Sequence, residues 1–159
     1  MKQKVVIIGT NDFQNPLILK AKEMGYETHV FAWKDGSIGE RTADFFYPIS
    51  IVEKDEILEK CRQIGPMAVA SIGSDLAAIT VNYLANHLNL PGNEPITAVI
   101  ATNKYQMRLA LQEAGIPVPA FAEVAPGEDL TEIQKMRLPI IVKPTDRSGS
   151  RGINKLTSF

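Results

Sequence analysis

The sequence has few of the residues that build disulfides, metal centres and covalent catalytic sites. Cys61 is its one cysteine, so no internal disulfide can form, which fits a protein of the reducing cytoplasm. The two histidines, His29 and His87, have no Cys, His or acidic partner at metal-ligand spacing. No serine stands in a Gly-x-Ser-x-Gly elbow. We therefore expect no metal ligands among residues 1–159 and no cysteine or serine nucleophile.

Charge of one sign and long apolar runs are also missing. Seventeen basic and 18 acidic residues leave a net charge of -1, so bulk basicity does not indicate nucleic acid or an anionic membrane surface as a partner. The apolar run that starts at Val5 is broken at Gly9, which is too short for a signal peptide or a membrane span. We expect a soluble cytoplasmic protein whose partners are small molecules.

What the sequence does contain is an alternation of buried strands and amphipathic helices. β-Branched and apolar runs predict strands, and apolar residues at helical spacing predict helices, a pattern typical of a Rossmann-like parallel α/β sheet. The predicted strands are 4–9, 27–33, 45–49 and 67–71, and the predicted helices are 16–24, 53–64 and 75–88. Asn15 and Ser74 are the expected N-caps of the first and third helix, and residues 34–42 are expected to form a loop.

The pattern changes after residue 93, where we place a domain boundary between residues 1–93 and 94–159. A strong helix is predicted over 103–114, followed by an extended Ile116–Pro119 segment with proline at alternate positions. Further on, we expect a weak strand over 121–124, a short helix over 130–136, a buried strand over 138–143 and a returning strand near 152–156.

Polar residues follow two predicted strands at the edge where open α/β sheets bind ligands. Asn11 follows the first strand, and Ser74 and Asp75 follow the fourth. Only one glycine, Gly9, precedes the first helix, so the dinucleotide fingerprint is incomplete and nicotinamide or flavin binding is disfavoured. Asn11, Ser74 and Asp75 are candidate substrate contacts, and Asp75 could orient an amine. Equally, Asp75 could favour the dipole at a helix start, and the Asn11 segment could be an ordinary turn.

Two lysines occupy positions that would be favourable for a positive charge if an anion were bound there. Lys143 ends an apolar strand and precedes a small-residue loop that contains Ser148, Gly149, Ser150 and Gly152, so its ammonium and the loop amides could hold phosphate oxygens. Lys104 begins a helix, where the dipole favours acids rather than cations. The alternatives are a lysine that extends from a sheet edge into solvent and an exposed lysine on a first turn.

The order of these motifs is specific. Asn103-Lys104 with Arg108 and Leu111, then Ala114-Gly-Ile-Pro-Val-Pro119, then Leu138-Pro-Ile-Ile-Val-Lys-Pro144 and the loop to Ile153 resembles the ATP-grasp superfamily. The similarity is greatest to carboxylate–amine ligases like the large chain of carbamoyl-phosphate synthase. Residues 1–93 resemble their Rossmann-like pre-ATP-grasp domain, and residues 94–159 resemble the start of the ATP-grasp domain. Asn103 departs from the family, in which aspartate is usual at that position.

The resemblance implies a function and a set of contacts. Lys104 and Lys143 would contact ATP phosphates, with Ser148, Gly149, Ser150 and Gly152 closing over them as a flap. Mg-ATP would activate a small carboxylate as an acyl phosphate for attack by an amine. The Mg²⁺ ligands of the family lie beyond the position of Phe159, so residues 94–159 are expected to be an incomplete ATP-grasp lobe, and residues 1–159 are expected to be inactive alone.

Two further expectations remain open. The strands over 139–143 and 153–157 would lack neighbours, which predicts either disorder around residues 145–151 or pairing between two copies in a homodimer. The alternative to the ligase is a self-contained Rossmann-like module that binds a small ligand at Asn11-Asp12 or Gly73-Ser74-Asp75.

Overall fold

The computed structural model describes residues 2–147 and 149–159. The chain divides into two units, Met1–Ala98 and Val99–Phe159. The division falls inside a helix, whereas the boundary expected at residue 93 precedes that helix. The domain limits 1–93 and 94–159 therefore stay a prediction.

In the first unit, strands and helices alternate along the chain. Its elements are β1 (Lys4–Ile8), α1 (Asn15–Glu23), β2 (Glu27–Phe31), α2 (Ile38–Thr42), β3 (Phe45–Tyr47), α3 (Lys54–Ile64), β4 (Ala68–Ala70) and α4 (Asp75–His87). The next helix, α5 (Pro95–Thr102), carries the chain into the second unit. These bounds agree with the predicted strands and long helices to within a few residues.

The four strands form one parallel sheet in the order β3-β2-β1-β4. Successive side chains of a strand point to opposite faces, and β1 uses both faces for the core. Val6 and Ile8 pack with buried residues of α3 and α4, whereas Val5 and Ile7 pack with Ile18 and Ala21 of α1. The strand order reverses between β1 and β4, which makes the crevice beside their carboxyl ends the topological switch point. The predicted α/β class with a Rossmann-like parallel sheet is confirmed.

The second unit contains α6 (Lys104–Glu113), α7 (Thr131–Gln134), β5 (Ile140–Val142) and β6 (Asn154–Leu156). β5 and β6 pair in antiparallel register, with Val142 opposite Asn154. No described residue of 99–159 is buried, and the core clusters lie in the first unit. Among the described residues, these two strands pair only with each other.

Several local predictions were wrong. Residues 34–42 contain the short helix α2, residues 121–124 form no strand, and Gln14 rather than Asn15 precedes the first helix. Helix α5 was not predicted, because its β-branched residues have low helix propensity. β5 was expected to be buried, but Ile141 is 58% exposed, since no helix or second sheet covers it among the described residues.

One carboxylate joins the edge strand β3 to the rest of the sheet. Asp44 Oδ2 accepts hydrogen bonds from the backbone N–H and the hydroxyl of Thr28, both at 2.9 Å, and Lys22 Nζ lies 2.9 Å from Asp44 Oδ1. Burial raises the pKa of Asp44, but the bonds from Lys22 and Thr28 outweigh it and lower the pKa to about 2. The ionised carboxylate is therefore favoured by the folded state.

Asp44→Asn is expected to lower the free energy of unfolding at pH 7 by about 1 kcal/mol, after allowance for solvent screening. Because the folded-state pKa lies below the unfolded value, this stabilisation is present above about pH 4 and is lost as the pH falls towards 2. Urea unfolding of both proteins at pH 7 and pH 2 measures it. The exposed Glu23, paired with Lys20, is the control: Glu23→Gln should change little. An Asp44→Asn difference that persists undiminished at pH 2 would contradict the assignment.

Candidate functional site

The switch-point crevice between β1 and β4 is closed by the side chain of Gln14. Its Oε1 accepts a hydrogen bond of 3.0 Å from Ile72 N–H, and its Nε2 donates to the carbonyl oxygen of the same residue. The side chain is buried, at 1% exposure. Gly9 has a φ of +105°, and a Cβ at that position would lie 2.9 Å from Gln14 Cγ. Glycine is thus needed here to admit Gln14, and the place where a Rossmann protein holds a dinucleotide is filled by protein.

The loop after β2 is hydrogen-bonded to the loop after β1 at the same edge of the sheet. Ser37 Oγ donates to Thr10 Oγ1 at 2.7 Å, and Gly39 N–H donates to the Thr10 carbonyl oxygen at 3.1 Å. A Cβ at Gly39 would lie 2.5 Å from that oxygen, so this close approach also requires glycine. The loops after β1, β2 and β4 are therefore joined by partly buried hydrogen bonds.

An open cleft of about 320 Å³ lies next to this edge, beside β4 and α4. Its lining residues are Ser71, Gly73, Ser74, Asp75, Ala78, Val81, Asn82 and Asn93. Asp75 is the one charged side chain among these described residues. Residues 75, 78 and 82 follow helical spacing, so one stripe of α4 forms a wall of the cleft. Two of the predicted substrate residues, Ser74 and Asp75, thus lie together.

Two roles were considered for the start of α4, namely stabilising the end of the helix and contacting a substrate. Ser74 Oγ accepts from Ala77 N–H at 3.2 Å, so Ser74 is the N-cap, as predicted. The Asp75 carboxylate accepts no hydrogen bond from another described residue and lines the cleft. Asn82 Oδ1 accepts from Asn93 N–H at 3.3 Å, which joins α4 to the segment after it at this cleft. The Asp75 carboxylate is therefore able to accept a hydrogen bond from a ligand.

Asn11 is not among the residues that line the cleft. Its Oδ1 accepts from the backbone N–H groups of Phe13 and Gln14, at 3.1 and 3.2 Å. This is local turn bonding of the kind that asparagine provides before a helix. The role of Asn11 as a substrate contact stays a prediction.

In the second unit, Lys104 meets the loop that follows β5. Its backbone N–H donates to the Thr145 carbonyl oxygen at 2.8 Å, and its Nζ donates to the same oxygen at 3.5 Å and to the Arg147 carbonyl oxygen. Asn103 caps α6 by accepting from the N–H groups of Tyr105 and Gln106. The first turn of α6 therefore presents an ammonium to this loop.

The loop after β5 contains three described residues with left-handed backbone. Gly149, Ser150 and Gly152 have φ values of +69°, +58° and +72°. That their N–H groups bind phosphate oxygens stays a prediction. Gly152 packs on Pro144, because a Cβ there would lie 3.0 Å from Pro144 Cγ. Lys143 is exposed and has no hydrogen bond or ion pair among the described residues. Ser148, also predicted to bind phosphate, lies outside the described residues.

The remaining reactive side chains are occupied or buried. His29 is 4% exposed, and its ring nitrogens lie 2.9 Å from Tyr47 Oη and from Glu27 Oε1. Burial raises the pKa of the Cys61 thiol to about 12, so a thiolate is strongly disfavoured. The described residues include no group of three His, Cys, Asp or Glu side chains placed to hold a metal ion. No helix in the described part of the chain is long and apolar enough to cross a membrane.

Sequence reasoning missed Gln14, Asn82 and Asn93. A signal for the first existed, since Gln14 precedes Ile18 and Ala21 by four and seven residues and so lies on the buried stripe of α1. Likewise, Asn82 stands seven residues after Asp75 and so lies on the same stripe of α4. Asn93 lies in the irregular segment between α4 and α5 and carried no local signal.

Comparisons with known proteins find similarity to two ligases and a formyltransferase. It is 28% identical over 110 residues to D-alanine–D-alanine ligase A of Bacillus cereus, which covers 67% of this chain and 36% of that protein. It is 33% identical over 89 residues to the L-arginine-specific L-amino acid ligase of Bacillus subtilis, covering 55% of this chain and 22% of the relative. A formate-dependent phosphoribosylglycinamide formyltransferase of Prochlorococcus marinus is 22% identical over 158 residues, covering 96% and 40%. No family model matches the chain.

Solved structures agree on the fold. L-amino acid ligase from Bacillus licheniformis superposes with a TM-score of 0.80 at 22% identity, covering 99% of this chain and 39% of that one. N5-carboxyaminoimidazole synthetase from Staphylococcus aureus, solved with ADP, gives a TM-score of 0.81 at 17% identity, covering 99% and 43%. The predicted resemblance is confirmed: the chain has the fold of the N-terminal part of the ATP-grasp carboxylate–amine ligases. It spans 22–40% of the length of the curated relatives described above.

Gln14→Met, which keeps the volume of the side chain, is expected to lower the free energy of unfolding by about 2–3 kcal/mol. The reason is that the N–H and C=O groups of Ile72 lose their partner while they remain partly buried. Urea unfolding measures the loss, and hydrogen exchange at the amides of residues 72–74 should become faster. Exposed Gln63, which accepts from Lys60, gives the matched control Gln63→Met, with a change within about 0.5 kcal/mol. Equal effects of the two substitutions would refute the bridging role.

Proposed function

We propose that this chain is the N-terminal part of an ATP-dependent ligase that activates a small carboxylate as an acyl phosphate for attack by an amine. The observation that carries the proposal is the contact of the Lys104 ammonium with the carbonyl oxygens of Thr145 and Arg147. A cation therefore lies beside a loop that contains glycine. The likeness to ligases in sequence and fold, including a structure solved with ADP, supports the same function.

In this proposal the second unit supplies part of a triphosphate site. Lys104 and Lys143 provide two positive charges, and the amides near Gly149, Ser150 and Gly152 provide donors, with Ser148 as a further contact. Such groups stabilise the negative charge that develops as a phosphoryl group is transferred. The Lys104 ammonium already donates hydrogen bonds to two carbonyl oxygens. A bound phosphate would replace these oxygens as the acceptor.

Mg²⁺ accompanies ATP in such ligases, but the described residues do not fit a magnesium site. Magnesium is held by carboxylates and water in octahedral geometry, and no acidic cluster of that kind is present in residues 2–147 and 149–159. We therefore assign no step of the reaction on this chain to a metal ion.

The first unit would hold the substrate amine. Asp75 brings a carboxylate without a protein partner into a cleft whose other described polar residues are neutral. An ammonium or amine group is the complementary ligand, and the hydroxyl of Ser71 and the amide of Asn82 can complete its hydrogen bonds. Asp75 would thus orient the amine, with Ser74 and Asn11 shaping the loops beside it.

A self-contained binding module is the second candidate function. It is favoured by the fact that the buried core clusters and this cleft both belong to the first unit. The two candidates differ in the second unit, because only the ligase requires Lys104, Lys143 and the loop after them to meet a nucleotide.

Titration of ATP into the ¹⁵N-labelled chain, followed by amide chemical shifts, tests the ligase. We expect shifts at Lys104, Gly149 and Gly152, and a roughly fivefold to tenfold weaker affinity for each of Lys104→Met and Lys143→Met, since a charge-assisted phosphate contact is worth about 1–1.4 kcal/mol.

The control variant is Lys135→Met, which removes an exposed lysine of the same unit that pairs with Glu132. It should leave ATP affinity unchanged. If Lys143→Met behaved like Lys135→Met, the assignment of Lys143 would be wrong. Absence of any shift around residues 104 and 149–152 would reject the nucleotide site on this chain.

A further inference from the structure

We infer that Asp35-Gly36 is a site of spontaneous isomerisation to isoaspartate, and that the Glu40 carboxylate keeps the two residues in their native form. Among the Asp and Asn residues of the sequence, Asp35 is the one that glycine follows. Both residues are exposed and lie in the loop between β2 and α2. This reaction does not depend on the proposed ligase activity.

The modification requires no enzyme and no co-reactant other than water. The backbone nitrogen of Gly36 attacks Cγ of a protonated Asp35 carboxyl group, and a C–N bond forms. The proton of the Gly36 N–H and the hydroxyl of the carboxyl group leave together as water. Water then opens the cyclic imide at either of its two carbonyl carbons, which gives aspartate or isoaspartate. Glycine favours the attack because no Cβ stands beside the nitrogen.

The surroundings of Gly36 present no steric obstacle to this attack. Gly36 has a φ of +81°, and no atom of the described residues lies within 4 Å of the position that a Cβ would occupy. Both residues of the pair are open to water. Slow isomerisation of this pair in the folded chain therefore requires a cause other than steric protection.

One carboxylate oxygen binds both backbone N–H groups of the pair. Glu40 Oε1 accepts from Asp35 N–H at 2.8 Å and from Gly36 N–H at 2.6 Å. The Gly36 nitrogen must lose its proton to attack, and a negative charge beside it disfavours an amide anion. The same hydrogen bond fixes the direction of the N–H group. Glu40 therefore opposes the attack through both charge and geometry.

The Asp35 side chain is held by a different partner. Its Oδ1 accepts from the backbone N–H of Ser37 at 3.0 Å, one residue beyond the nitrogen that would attack. Hydrogen bonding with Ser37 lowers the pKa of the Asp35 carboxyl group below its usual range. Because the attack requires the neutral carboxyl group, this contact reduces the reactive fraction at neutral pH.

Contacts with the loop after β1 fix both ends of this arrangement. Ser37 Oγ donates to Thr10 Oγ1 at 2.7 Å, and the N–H of Gly39, which precedes Glu40, donates to the Thr10 carbonyl oxygen at 3.1 Å. Isoaspartate would add one methylene to the backbone between β2 and Ser37. Isomerisation is therefore expected to disturb the contacts of this loop with Thr10 at the carboxyl edge of the sheet.

The test measures isoaspartate during prolonged incubation of the full chain at pH 7, by electron-transfer fragmentation of the chymotryptic peptide 34–45. We expect Glu40→Gln to form isoaspartate roughly fivefold faster than the wild type, which is the size expected for loss of one partly exposed charged contact. Glu23→Gln removes an exposed carboxylate that pairs with Lys20 and is the matched control. It should form isoaspartate at the wild-type rate.

A synthetic peptide of residues 34–42 gives the rate for the same pair without the folded loop. It should form isoaspartate roughly tenfold faster than the wild-type chain, since the contacts with Glu40 and Ser37 are both lost. This comparison needs no substitution, so it stays decisive if Glu40→Gln disturbs the loop. Equal rates in the peptide and the wild-type chain would overturn the inference. So would equal rates in Glu40→Gln and Glu23→Gln, or absence of isoaspartate from the peptide.

Discussion

The two hydrogen bonds between the Gln14 side chain and the backbone of Ile72 join the loops after β1 and β4, and the arrangement of the candidate site at this edge of the sheet depends on them. A sheet in the order β3-β2-β1-β4 opens a crevice between the loops after β1 and β4, and in many such folds a nucleotide occupies it. Here a buried amide fills the crevice, and Gly9 makes room for it. The Gln14 side chain therefore excludes a ligand from the crevice between β1 and β4. By binding Ile72, it also fixes the backbone between Ser71 and Gly73, which line the neighbouring cleft.

The candidate sites of the two units are stabilised by different physical means. The first unit buries apolar side chains on both faces of its sheet, and this core fixes the loops that carry Ser74 and Asp75. The described residues of the second unit contain no buried side chain, and its loop is held by hydrogen bonds to Lys104 and by the packing of Gly152 on Pro144. A cleft on a packed scaffold suits selection of a substrate. A loop held by an exchangeable ammonium suits a ligand that offers stronger acceptors than carbonyl oxygens.

Local sequence signals were sufficient to predict the elements whose formation depends on residues close in the chain. The β-branched runs of β1 and β2, and the Ser74 cap of α4, were predicted because each depends on neighbours in the chain. The bridge from Gln14 to Ile72 spans 58 positions, and the contact of Lys104 with Thr145 spans 41, so neither has a local pattern. The exposure of β5 was missed for a related reason: an apolar run records the tendency to be buried and not the presence of a covering element. Lys104 and Lys143 were predicted to bind phosphate through the resemblance and through their unusual electrostatic positions, and this role stays a prediction.

The central claim is that Lys104 and Lys143 recognise the phosphates of a nucleotide rather than its base or sugar. It is tested most directly by the ratio of the affinities for ATP and AMP, measured by equilibrium dialysis of the wild-type chain and of the double variant Lys104→Met/Lys143→Met. The account predicts that the wild-type chain prefers ATP by at least tenfold and that the double variant binds both nucleotides about equally, since charge-assisted contacts to the outer phosphates are then absent. The same preference for ATP in both proteins would contradict it.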